Sequence, residues 1–419
     1  MIRPRGPSVA DLLFSKVGML PKTQWSVVGV SILAGVVAAA HIGKAPPVIP
    51  VLRADLGLGL VAAGWVATMF NVLGAICGCT LGMAGDVLGH RRSVFLGFVL
   101  LAVGGVTGAL SSDQTMLLVG RLVEGVGFIS VVVSCPGLIM AATAPQDMRL
   151  TFGLLGTYMP LGVATALFAA PYAEQLFGWR GLWLALALIS LAMIPSLGWV
   201  TRSLPLHRRP APRDGSKGGW GDLLSTLRRP GLWWLGAAFA TYTVQWSTLL
   251  VWLPSVLVET RHLGVAAASS LTAIIAAMNA PGGVIGAWLL HRRVPRGALI
   301  VGANVVMGLC FVGIFSPALP DVVTFSLCLV FSTVGGILPA SILSGSAVHA
   351  SGPGQIGAAN GMLIQGSNIG QLVGPLGAAA LVSHTGGWDS VLWLMVVSAV
   401  LGGLAGLQAG RKERLLPSL

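Results

Sequence analysis

Twelve apolar runs, at 25–51, 60–83, 93–111, 115–142, 150–172, 181–201, 231–256, 266–290, 297–316, 321–346, 357–382 and 388–408, constrain this chain more than any other feature. A bilayer core is crossed by a helix of about 20 apolar residues. Only 9% of the residues are charged, whereas a soluble domain carries about 25%. No stretch shows the two-residue alternation of a barrel strand. Lipid offers the backbone no partners, which leaves helices. The expected fold class is an all-α membrane protein of twelve transmembrane helices, embedded in a lipid bilayer.

The connections are short except 202–230, which holds Pro205, Pro210, Pro212 and the Gly218–Gly219 pair together with seven Lys and Arg. This segment reads as a polar linker between a six-helix bundle at 1–201 and a second at 231–419. One set of alternate loops, with the termini and the linker, carries twenty of the 25 basic residues; the other set carries Arg53, Arg180 and Arg261. That imbalance places both termini in the cytoplasm and predicts a multi-pass protein of a cell membrane, the bacterial inner membrane being the expected one. The net charge of +12 is therefore topological, and no nucleic-acid partner is expected. The five cysteines lie inside apolar runs and read as small core residues. The N-terminus is basic, but the run from Trp25 is too long for a signal-peptide core and reads as a first span.

The two halves repeat. Gly153 and Gly162 open the fifth run as Gly361 and Gly370 open the eleventh, and each segment ends in Gly-Trp followed by a further Trp: Trp179 and Trp183, then Trp388 and Trp393. Repeated halves mark secondary transporters, with the solute site between them near the midplane. Pro136, Pro160, Pro281 and Pro339 are expected to kink their helices. Glycine pairs such as Gly104-Gly105, Gly282-Gly283 and Gly335-Gly336 suit close helix contacts.

The loop after the second run reads Gly82-Met-Ala-Gly-Asp86-Val-Leu-Gly89-His90-Arg91-Arg92. It resembles the signature G-x-x-x-D-x-x-G-R-K/R of the major facilitator superfamily, with Val87 and His90 where basic residues are usual. The second-half loop, Gly286 to Arg293, lacks the Asp. Arg121-Leu-Val-Glu124-Gly125 resembles the R-x-x-Q/E-G element of the same family. The antiporter element G-x8-G-x3-G-P-x2-G-G is degenerate in the fifth run, which has Ala166 and no Gly-Pro. The eleventh run fits it better, with Gly361, Gly370 and Gly374-Pro375. A narrower resemblance, to the cyanate and 2-nitroimidazole transporter branch, rests on Lys44-Ala-Pro46-Pro47, Arg53-Ala-Asp55-Leu56-Gly57 and Gly178-Trp-Arg-Gly-Leu-Trp183. The resemblance implies two pseudo-symmetric six-helix bundles, alternating access and a monomer. It also implies a cytoplasmic gate formed by Gly82, Asp86, Gly89, Arg91 and Arg92, with Asp86 pairing to a basic residue or capping a neighbouring helix.

A charge inside a span costs about 2.5–3.5 kcal/mol on insertion scales and needs a reason. Three such residues stand out: Lys44, Arg121 and Glu124. Arg121 and Glu124 are three apart and share a helix face. Lys44 and Arg121 lie at similar depth, and the resemblance places their helices along the central cavity. Two cations against one carboxylate leave a surplus positive charge, which favours an anionic solute. Lys44 and Arg121 are the expected substrate contacts, the alternative being a structural cluster. Glu124 is the expected proton carrier, with His41, three residues before Lys44, as the second. Tyr158, Gln245, Trp246, Asn279, Gln365 and Asn368 are candidates to complete the substrate site, each weighed against an ordinary interhelical hydrogen bond.

The expected activity is secondary transport of a small organic or inorganic anion, or a similar polar solute, with proton coupling. A drug/proton antiporter and a non-transporting membrane receptor are the alternatives. An enzyme is not expected: there is no metal cluster, no phosphate loop and no nucleophile set with catalytic spacing. No cofactor and no catalytic or metal residues are expected.

Overall fold

An apolar run in lipid closes its own backbone hydrogen bonds as a helix, and proline decides where that helix breaks. The computed structural model describes residues 22–204, 225–316, 318–349 and 356–415; the side chains of 81–88, 149, 203, 347 and 356–357 also lie outside the description. Twelve spans are present among the described residues. Span 1 is Trp25–Gly43 and Ala45–Leu56, span 2 is Leu60–Thr68 and Val72–Leu88, span 3 is His90–Ala109 and span 4 is Gln114–Ala142. Span 5 is Met148–Leu155 with the first part of Tyr158–Val200, and span 6 is the rest of that helix. Span 7 is Pro230–Arg261, span 8 is Val265–Ala277 and Asn279–His291, and span 9 is Arg296–Ile314. Span 10 is Asp321–Gly335, Ile337–Leu343 and Gly345–His349, span 11 is Ile356–Thr385 and span 12 is Val391–Arg414.

Spans 5 and 6 part at Gly178, whose φ of 68° and ψ of 170° suit glycine alone. Gly178→Ala is expected to cost about 1–3 kcal/mol, read as a lowered melting temperature. Gly198→Ala serves as the control, since that helical glycine has its nearest neighbour 3.7 Å from a Cβ.

Four interruptions fall just before prolines. Span 1 breaks at Lys44 before Pro46 and Pro47, span 5 at 156–157 before Pro160, span 8 at Met278 before Pro281 and span 10 at Gly336 before Pro339. Proline lacks the N–H that would bond four residues back, and its ring crowds that carbonyl. At Pro136, by contrast, Gln114–Ala142 continues as one helix without a break.

Spans 7 and 11 are less apolar than the others and are not among the helical stretches that meet a length-and-hydropathy criterion for crossing a membrane. Polar side chains interrupt their apolar runs: Thr241, Tyr242, Thr243, Gln245, Ser247 and Thr248 on span 7, and Gln365, Ser367, Asn368 and Gln371 on span 11. The two helices pack on each other, with the Thr243 hydroxyl donating to Ser367 O at 2.8 Å.

The repeat does the same packing work in both halves. A Cβ on Gly162 would strike Val36 O of span 1, and one on Gly370 would strike Ala240 O of span 7. The parallel ends at the last tryptophan: Trp183 is fully buried, whereas Trp393 is 72% exposed. Between the halves, span 2 lies along span 11, and Val265–Ala277 lies along Tyr158–Val200. The second part of span 1 also meets span 7.

Candidate functional site

Lys44, Arg121, Glu124 and His41 converge, all at 0% exposure. Glu124 is the hub. Its Oε1 accepts from Lys44 Nζ at 2.5 Å and its Oε2 from Arg121 Nη1 at 2.6 Å. Three-residue spacing on one helix thus produces the expected Arg121–Glu124 pair. His41 Nδ1 lies 3.1 Å from Glu124 Oε1, and Nε2 lies 2.9 Å from Ser190 Oγ. A carboxylate only accepts, so the Glu124 contact needs an N–H on Nδ1, and the neutral ring then accepts from the Ser190 hydroxyl at Nε2; Lys44 Nζ also lies 3.4 Å from Nδ1.

Arg121 is held by more than its carboxylate. Nε donates to Val66 O at 2.9 Å and Nη1 to His41 O at 2.8 Å, and the guanidinium lies 4.8 Å from the Phe70 ring centroid. Its Nη2 has no acceptor among the described residues. The ammonium of Lys44 sits 4.4 Å from the centroid of the Trp183 ring. Span 3 closes the site: Gly104 and Gly105 let its backbone come against Glu124, where a Cβ on Gly104 would lie 2.7 Å from Glu124 Cγ. These partners all belong to the first six spans.

Both helices facing Arg121 are interrupted there. Span 1 breaks at Lys44, and span 2 passes through a 3-10 turn at Met69–Asn71. Gly125 lets span 4 press against Phe70 O in that turn. Discontinuous helices recur at transporter sites because their ends present backbone groups to a solute. Three interruptions carry polar candidates two residues before a proline: Lys44 before Pro46, Tyr158 before Pro160 and Asn279 before Pro281.

The remaining candidates are dispersed. Tyr158 lies against Gly35 of span 1, where a Cβ would be 3.0 Å from its ring. Asn279 donates to Tyr242 Oη at 2.9 Å and Ser332 O at 3.0 Å, joining spans 7, 8 and 10. Gln245 reaches Asn304 of span 9 at 3.4 Å. Trp246 is 5% exposed, and its Nε1 has no acceptor among the described residues. Asn368 faces Gly74 of span 2 and donates to Ile364 O. Gln365 is committed to span 2, donating to Ala75 O at 2.9 Å and accepting from Cys79 Sγ at 2.9 Å.

Of the expected cytoplasmic gate, the side chains of Gly82 and Asp86 lie outside the described residues, though both fall within Val72–Leu88. Gly89 has a φ of 85°, a left-handed conformation that favours glycine and turns the chain between spans 2 and 3. Arg91 donates to Gly198 O of span 6 at 3.1 Å, and Arg92 is exposed. Ser190, Phe70 and Tyr242 carry no signal in the sequence, and Trp183 stands out there only through the repeat and the Gly178–Trp183 segment. The spacing before proline is a signal that finds three of the named candidates together; nothing in the sequence distinguishes Ser190.

Among known proteins, the family described as Major Facilitator Superfamily matches residues 30–363. The chain is 26% identical over 404 residues to the 2-nitroimidazole transporter of Escherichia coli (strain K12), covering 93% of this chain and 96% of that one. It is 24% identical over 296 residues to the gallate transporter of Pseudomonas putida, covering 63% and 65%. Identity to the hexuronate transporter of Bacillus subtilis (strain 168) is 22% over 404 residues, covering 92% and 94%. A crystal structure of a bacterial homologue of the human lysosomal transporter Spinster, inward-facing and unoccupied, superposes with a TM-score of 0.75 at 15% identity, covering 94% of this chain and 98% of that one. This likeness establishes the fold of two six-helix bundles. The described chain is therefore a multi-pass membrane transport protein and not an enzyme, and it belongs to the Major Facilitator Superfamily.

Proposed function

We propose that this transporter moves a small organic or inorganic anion by alternating access, with proton coupling. The observation that carries the reading is the fully buried arrangement of two cations on one carboxylate, with Arg121 Nη2 left without an acceptor among the described residues. A low-dielectric interior disfavours unbalanced charge, and an entering anion supplies the missing acceptor. Lys44 and Arg121 take the negative end of the solute. Tyr158, Gln245, Trp246, Asn279, Gln365 and Asn368 contact its neutral body as the halves rearrange. Glu124 carries the coupling proton, with His41 as its hydrogen-bonded partner. The names of two relatives, the gallate and hexuronate transporters, point to carboxylate solutes and fit this chemistry.

The same reading puts both termini in the cytoplasm of a bacterium, a linker at 202–230 and a monomer in the inner membrane. It assigns Gly82, Asp86, Gly89, Arg91 and Arg92 to the cytoplasmic gate. A static lock of the first bundle is the competing role for the charged cluster, and it is favoured by the fact that the cluster's partners all lie in that bundle.

Thermal shift of purified protein with gallate, glucuronate, cyanate and 2-nitroimidazole separates the two. An anion at 100 times its Kd is expected to add about 2.7 kcal/mol of stability. That gain disappears in Lys44→Ala and Arg121→Ala, and so does uptake of the same anion by variants that reach the membrane. Full uptake by both variants, or stabilisation by none of gallate, glucuronate and cyanate, ends the anion reading.

A further inference from the structure

The side of the membrane opposite the termini carries a paired arrangement whose symmetry is broken. In the first half, Asp55 lies in the last turn of span 1, and Trp179, directly after the turn at Gly178, donates its indole N–H to Asp55 Oδ2 at 2.9 Å. In the second half, Glu259 lies in the last turn of span 7, and Trp388, just after the turn at Gly386 (φ 78°), donates to Glu259 Oε2 at 3.0 Å. Each half thus pins the acid at the end of its first span with the tryptophan that opens its last.

The residue after each tryptophan differs. Arg180 follows Trp179 and completes the first site, donating to Asp55 at 2.7 Å and to Ser111 O at 3.1 Å. Asp389 follows Trp388, so the second site has no cation from the matching position. Arg261, two residues from Glu259, is taken by Asp321 at 3.0 Å. The cation that faces Glu259 comes from the other half: Arg53 Nη1 lies 4.0 Å from Glu259 Oε1. Arg53 stands two residues before Asp55 on the same span end. Span 1 is therefore tied within its own bundle through Asp55 and to the other bundle through Arg53. Trp388 also lies 5.6 Å, ring to ring, from Trp252, which reaches across to Gly64 of span 2.

We propose that Arg53 and Glu259, with Glu259 seated on Trp388, form a latch that holds the two bundles together on the side opposite the termini and parts when that side opens. The pair is weak by design of its surroundings: the two side chains are 38% and 47% exposed, and exposed pairs shift an equilibrium by about two- to five-fold. A latch of that size biases a carrier without freezing it. Asp55 with Arg180 is the matching contact inside one bundle, and it does not respond to opening.

The test is hydrogen–deuterium exchange of the full chain in lipid nanodiscs, read on the element opposite each substitution. Glu259→Gln is expected to raise exchange of the amides of 53–60, and Arg53→Gln that of 257–264, by about two- to five-fold. The double variant is expected to match either single one, because both remove the same contact. Asp55→Asn leaves 257–264 unchanged. Effects confined to each variant's own segment, or a double variant whose effects multiply, overturn the latch. Both substitutions are at half-exposed surface positions, so loss of fold does not mask the outcome.

Discussion

Glu124→Leu is expected to leave little folded protein in the membrane. The substitution fits the space with apolar bulk, yet it strips Lys44 Nζ and Arg121 Nη1 of their shared carboxylate. Both cations are fully buried. Breaking one partner out of a buried ionic cluster costs about 3–5 kcal/mol, because an uncompensated charge stays behind. Against a net stability of about 5–15 kcal/mol, that loss lowers the melting temperature steeply. The double variant Lys44→Met/Glu124→Leu removes one stranded cation with the carboxylate, and its melting temperature is expected to lie above that of Glu124→Leu. A double variant no more stable than the single one, measured by thermal unfolding in detergent, shows that the carboxylate is not the element that compensates Lys44.

Gly282→Val and Gly336→Val are expected to be about as damaging, for a steric reason. Spans 8 and 10 cross at these two glycines. A Cβ on Gly282 would overlap Thr333 O and one on Gly336 would overlap Asn279 O, so the two backbones touch. Backbone cannot rotate away as a side chain can. Overpacking of this kind costs about 1–3 kcal/mol and more where nothing can yield. The same contact holds Asn279, whose side chain ties spans 7 and 10, so transport is expected to fall with stability. Gly302→Ala and Gly403→Ala, where a Cβ has nothing within 4 Å, are the controls. They are expected to leave the melting temperature unchanged or raise it, by up to about 1 kcal/mol of helix propensity. Wild-type stability in Gly282→Val would show that spans 8 and 10 do not pack this way.

What the sequence revealed and concealed follows from what each residue type is free to do. Lys44, Arg121 and Glu124 had to find one another, because a buried charge has few other ways to be satisfied. Their meeting was therefore legible from three letters and a depth estimate. Ser190 was not, because a serine in a membrane helix can satisfy itself on its own backbone. Ser130 does so on Val126 O and Thr68 on Gly64 O. Nothing in an isolated Ser says that its hydroxyl instead reaches His41. Gln365 shows the same limit from the other side: its polarity fitted a solute contact, but which way span 11 turns it depends on packing, and its amide reaches span 2. Prolines marked where spans 1, 5, 8 and 10 break, while Pro136 sits in an unbroken helix. Whether the freed carbonyl relaxes into a bend or into a break depends on neighbouring helices that the local sequence does not describe.

The charged cluster sits wholly in one bundle, and with His41 uncharged its formal sum is one positive unit. A bundle that rocks within the bilayer carries this unit through part of the electric field. Each elementary charge crossing the whole field is worth about 2.3 kcal/mol per 100 mV. On the anion reading proposed above, a monovalent anion bound at the cluster cancels that unit and a proton taken up on Glu124 restores it, so membrane voltage acts on the empty carrier and on the proton-loaded one alike.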